Sequence, residues 1–214
     1  MVKAIDKELG SSYSLKSLFR DDRRAIIQQI LNASLDEAEG AYRQIWEHHV
    51  PLAHFLRDVG VPLPKAIGTA AEFAVNSNLR RAFADGEMDL EQIRRLLEEA
   101  RSGGVSLDST TLEYTLRLTI ERLFEKFAAA PNSSTLVERL GAVVEMARSL
   151  PFEVVLWTPQ NVWSDIRRTT FEERNKSAQA GNEDCRSWVK NFISLGEKLK
   201  VRIGEDAGVL AQAG

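Results

Sequence analysis

A single cysteine, Cys185, in 214 residues excludes an internal disulfide and a cysteine-rich zinc site. Its helical spacing with Trp188 suits a small buried apolar side chain better than a reactive thiol. Histidine is nearly as scarce, with three residues, and aromatics make up only 7% of the chain. No apolar run approaches the ~20 residues needed to cross a bilayer, and no signal-peptide pattern opens the sequence, so the cytoplasm is the expected location. An excess of one charge is also missing. Lys and Arg number 28 against 31 Asp and Glu, a formal net charge of −3, whereas nucleic-acid binders carry a basic surplus on one face. No nucleophile elbow, P-loop or dinucleotide glycine fingerprint occurs. A hydrophobic share of 43% is nevertheless ample for a packed core.

What the chain does have is helical periodicity. A polar lead-in is expected over 1–14, one helical domain over 15–203, and a flexible tail over 204–214. The fold class is all-α: a bundle or array of about eight helices, with short loops that imply antiparallel neighbours. A first helix is read from about Leu15 to Leu31. Ser34 and Glu37 then form a capping-box pattern, and Leu35, Ala38, Tyr42, Ile45, His49, Leu52 and Leu56 follow at alternating steps of three and four. Pro51 falls inside that stripe and predicts a kink or break. The third helix spans about Pro64–Ala84, with a small-residue face of Ala66, Ala70, Ala71 and Ala74. Asp89 caps a fourth, ended by Gly103–Gly104, and Asp108 opens a fifth. The sixth carries Leu136 to Leu150. Phe152, Val154 and Leu156 alternate as an extended segment. Thr158 is read as the cap of a seventh helix with Pro159 in its first position. An eighth begins near Asn182.

Candidate chemistry is thin. His48, His49 and His54 cluster, but His49 and His54 are five apart across Pro51, whereas helical zinc pairs sit at i and i+4. The arginine pairs at 23–24, 80–81, 94–95 and 167–168 lie among acids and read as solvated faces. Adjacent glutamates such as Glu98–Glu99 and Glu172–Glu173 point in different directions, unlike the paired carboxylates of a glycosidase. The unusual residues gather in Pro151–Trp163, PFEVVLWTPQNVW, which holds two of the four tryptophans. Indole faces stack on sugar rings, and Gln and Asn amides bridge hydroxyls. The same residues would also serve as core packing and backbone caps, so both readings stand at this point.

Three runs, VPLPKAIGTAAEFAVNSNLRRAF (61–83), LPFEVVLWTPQNVW (150–163) and LGEKLKVRIG (195–204), resemble an uncharacterised helical region of large bacterial proteins. There it follows a catalytic domain similar to family-57 glycoside hydrolases, the amylase-, branching-enzyme- and α-mannosidase-like group. The resemblance is collinear from about Leu18 to Ile203. It implies a non-catalytic accessory module that needs no cofactor and no metal. Its partners would be the catalytic barrel of a longer parent protein and an α-glucan or other oligosaccharide, not nucleic acid or membrane. The catalytic carboxylates of that group belong to the barrel, which has no matching segment here, so no catalytic residue carries over. Glu72, Asn76, Trp157, Gln160, Asn161 and Trp163 are the candidates for cleft lining or domain contact. The alternative is a stand-alone structural or protein-interaction domain without glycan contact.

Overall fold

The computed structural model describes residues 20–201, so the expected lead-in at 1–14 and tail at 204–214 lie outside the described residues. Within them the chain is all-α, with eight helices and no strand. They are α1 (Arg20–Asp58), α2 (Lys65–Ala84), α3 (Leu90–Gly103), α4 (Ser109–Ala129), α5 (Ser134–Ser149), α6 (Trp157–Thr169), α7 (Phe171–Gln179) and α8 (Glu183–Lys198). The expected number is met by a different division of the chain. The first two expected helices are one, and the seventh is two.

α1 runs unbroken through Ser34 and Pro51. A capping box works only where the backbone leaves helical geometry at the cap. Between Arg20 and Glu39 there is no glycine or proline to make that happen, so Ser34 stays inside the helix. At Pro51 the fixed φ of proline is itself helical, and the helix forgoes one backbone bond without ending. It ends instead at Gly60, whose φ of +71° lets Val61 N–H reach back to the Leu56 carbonyl at 2.8 Å. At the other discrepancy, Thr170 separates α6 from α7.

The fold divides into two compact units, one of residues up to Ser77 with Glu98–Ser106, the other of Asn78–Leu97 with the chain from Leu107 onward. In the first, α1 buries Ile30, Glu39, Trp46 and Ala53. The Trp46 indole N–H donates to Glu99 Oε1 at 2.5 Å, and Gly103 lies flat against the same ring. Tyr42 and Phe73 rings meet at 4.8 Å. Of the small face of α2, Ala70, Ala71 and Ala74 are buried while Ala66 is exposed.

In the second unit α5 and α7 pack on α8, and α4 packs on α5 and α6. Its core is continuous and aromatic. Trp163 stacks on Phe192 at 4.9 Å and 10°, and Phe192 stacks on Trp188 at 4.7 Å and 8°. Both indoles are bonded, Trp163 to the Phe192 carbonyl and Trp188 to the Pro131 carbonyl, each at 2.9 Å, so neither buried N–H is left without an acceptor. Asp108, Ser133 and Asn182 cap α4, α5 and α8 through their side chains. Arg174 of α7 closes the far end. It donates to the Asn132 carbonyl at 2.8 Å, to Asp184 at 3.1 Å and to Cys185 Sγ at 3.3 Å, which leaves Cys185 as a buried packing residue. Ser134 and Arg174 together hold the Asp184 carboxyl below its ordinary range.

Candidate functional site

α5 stops at Ser149 because Pro151 cannot continue it, and Leu150 turns into extended backbone (φ −68°, ψ 150°). The following residues alternate as the sequence predicts. Val154 and Leu156 are buried, Phe152 is half-buried, and Glu153 and Val155 face solvent. No second strand pairs with this segment among the described residues, so its backbone groups need side-chain partners. Glu113 on α4 supplies one, accepting from Val155 N–H at 3.3 Å.

That carboxylate belongs to a ladder on one face of α4. Arg117 donates to Glu113 at 3.2 Å and to Glu121 at 3.5 Å, each one turn away. Glu121 in turn accepts from the Thr158 hydroxyl at 3.2 Å. The three ladder side chains are only about a quarter exposed, so the pairs are less screened than ordinary surface ion pairs. Thr158 is therefore not the helix cap. α6 starts at Trp157, with Leu156, which has no capping group, in the cap position, and Thr158 is already inside the helix with its hydroxyl donating to Glu121.

The ladder grips the chain on both sides of Trp157, through Val155 and Thr158, and the indole between them is 69% exposed. Asn161, one turn on and on the same helix face, is also exposed. Next to this turn lies an open cleft of about 400 Å³. It is walled by Arg148, Phe152, Glu153, Leu156 and Lys200, a mixture of apolar surface and both signs of charge. Lys200 holds a left-handed conformation (φ +57°) that lets Val201 N–H bond the Gly196 carbonyl at 3.1 Å and close α8.

The other candidates fall elsewhere. Trp163 is 1% exposed, with Phe192 on one face and the Arg167 guanidinium 5.7 Å from its ring centre, so it offers no surface to a ligand. Gln160 points inward and donates to the Leu199 carbonyl at 2.9 Å, completing the end of α8. Glu72 and Asn76 belong to the first compact unit. Glu72 is exposed, and Asn76 donates to the Glu72 carbonyl at 2.7 Å and the Ser106 carbonyl at 2.8 Å, tying α2 to the loop after α3. The structure thus gathers Trp157 and Asn161 at one surface and assigns Trp163 and Gln160 to packing and capping.

The Glu113–Arg117–Glu121 ladder was not singled out in the sequence, although its spacing of four and four with alternating charge was visible there. Among the described residues no three His, Cys, Asp or Glu side chains gather as a metal site. His49 is half-buried, with Nδ1 2.8 Å from the Ile45 carbonyl of its own helix. Of the arginine pairs, Arg94 and Arg168 form ion pairs with Glu91 and Asp165 one turn back. No helix among the described residues is long and apolar enough to cross a membrane. Comparison with family models, curated proteins and solved structures finds no match to this chain.

Proposed function

We propose that the chain is a non-catalytic helical accessory module of a carbohydrate-active protein of the family-57-like group. In this reading it stands beside a separate catalytic barrel and meets oligosaccharide through Trp157 and Asn161. The observation that carries the reading is the exposure of Trp157 on a backbone held from both sides by the α4 ladder. An indole kept in water on a fixed backbone has its apolar face available, and the C–H face of a pyranose covers such a ring well. Asn161 adds amide donors and acceptors for hydroxyls on the same side. The extent of the three runs that resemble the family-57-associated region is the second support.

Chemical-shift mapping with malto-oligosaccharides at millimolar concentration tests it. The Trp157 indole N–H and the Asn161 side-chain amide are expected to move, and Trp157→Ala is expected to abolish the shifts while leaving the fold intact. Resonances of this turn that stay fixed across the titration would remove glycan contact from the reading.

A second reading, a protein-interaction module without glycan contact, is favoured by a different observation. Six of the twelve large apolar side chains exposed on the described surface lie on α1 alone, a concentration that supports this reading.

A further inference from the structure

Among the described residues, the large apolar side chains exposed in the second unit are Tyr114, Val155 and Trp157. All three adjoin the α4 ladder. Glu113 accepts from Val155 N–H, and Glu121 accepts from the hydroxyl of Thr158, the chain neighbour of Trp157. Tyr114 follows Glu113 in the chain, and the Arg117 guanidinium lies 5.4 Å from its ring centre. Tyr114, Arg117 and Glu121, spaced by three and then four, share one face of α4. At ~1.5 Å of rise per residue, Tyr114 and Glu121 are ~10 Å apart along the helix. Two open rings thus accompany one ladder, Tyr114 at its Glu113 end, 55% exposed, and Trp157 in the turn bound to Glu121.

The polar groups between the rings select the ligand. Each ladder carboxylate makes its bonds through one oxygen: Glu113 Oε1 accepts from Arg117 and Val155, and Glu121 Oε1 from Arg117 and Thr158. Oε2 of each remains to accept from a ligand donor, and both side chains are about a fifth exposed. The two carboxylates repel anions, and Arg117 between them repels cations. An uncharged chain rich in hydroxyls, with apolar C–H faces for the rings, is the chemistry that fits. We propose that Tyr114 is the platform of a second sugar subsite, so that the surface takes an uncharged oligosaccharide laid along the ladder from Trp157 to Tyr114. This rests on the glycan reading of Trp157 and deepens it by naming the ligand as a chain of several sugars. A short sugar covers one ring only, whereas a longer chain covers both, and two linked contacts bind more tightly than either alone. The chain runs over α4, not into the cleft of Arg148 and Lys200.

Titration of the whole chain with maltose and with maltoheptaose, followed by chemical shifts, is the test, with circular dichroism as the check on folding. Maltoheptaose is expected to bind about tenfold more tightly than maltose. The Tyr114 ring resonances of the unmodified protein are expected to move with maltoheptaose and stay fixed with maltose. Tyr114→Ala is expected to bring maltoheptaose down to the affinity of maltose and leave maltose unaffected. Tyr114→Phe, which keeps the ring, is expected to retain most of the difference. Equal affinity for the two sugars, a Tyr114→Ala protein that binds maltoheptaose as before, or shifts that spread from Trp157 to Phe152 and Lys200 instead of Tyr114 would each overturn the proposal. In all three cases shifts at Trp157 leave the glycan reading standing. Trp157 and Tyr114 both unmoved by either sugar would remove that reading and this one together.

Discussion

α1 and α8 are built from the same amphipathic grammar and reach opposite outcomes. α8 spends sixteen residues and buries six of them, including Trp188, Phe192 and the backbone of Gly196. α1 runs for thirty-nine residues, and over Arg23–Asp58 it buries four. α8 is enclosed by α5 and α7 of its own unit, whereas Leu35, Ile45 and Leu52 of the α1 stripe stay exposed. Periodicity makes a helix amphipathic, but which stripe closes depends on what else in the chain has the shape to meet it. On α8 that complement is an aromatic stack and a glycine. On α1 it is Trp46 with its bond to Glu99 and the Tyr42–Phe73 ring contact.

The contrast is broken most directly at Trp163. Trp163→Ala removes the largest buried side chain packed against α8, and it is expected to cost about 3–5 kcal/mol in urea unfolding. A cost under about 1 kcal/mol would mean that the second unit is no better packed than α1.

Gly196→Ala comes next. A Cβ at this position would sit 2.7 Å from Trp163 Cε2 and closer still to Cζ2, so overpacking of about 1–3 kcal/mol is expected. The smaller ring of Trp163→Phe should lessen the effect of the added methyl, making the two changes non-additive in a double-mutant cycle.

In the first unit, Trp46→Phe keeps an aromatic side chain but removes the N–H bond to Glu99 and part of the buried ring. It is expected to cost about 1.5 kcal/mol, and an effect as large as that of Trp163→Ala would erase the difference between the two regions.

The smallest effect is electrostatic. The Asp184 carboxyl, held down by Ser134 and Arg174, contributes stability that is complete above the ordinary carboxylate range. That contribution is lost as pH falls through the lowered folded-state value. Asp184→Asn should therefore lower the neutral plateau of a stability-versus-pH profile slightly and flatten its acid limb, with the two proteins converging at low pH.

Much of this was legible in the residues. Helix ends set by Asp89, Asp108, Asn182 and Gly103–Gly104 follow from local hydrogen bonding, and local rules carry them. Ser34 and Thr158 fail for a common reason: each has cap chemistry, but the backbone geometry was decided elsewhere. An absence of breakers kept Ser34 helical, and a carboxylate thirty-seven residues away engaged Thr158. The candidate site was half legible. Sequence marked the segment 150–163 but could not divide its tryptophans, since the fate of Trp163 depends on a glycine thirty-three positions later. Nor could it find the Glu113–Arg117–Glu121 ladder as a support for Trp157, because that role exists only once α4 lies beside α6.

That division of tryptophans gives the molecule a built-in optical reporter. Three of its four indoles, Trp46, Trp163 and Trp188, are at most 3% exposed, and Trp157 is open to water. In the native state collisional quenchers such as acrylamide will reach chiefly Trp157, whose emission is the most red-shifted of the four. The quenchable fraction of the fluorescence therefore reads the occupancy of one surface turn. The remaining fraction reads the integrity of the two cores, in the same cuvette and without a label.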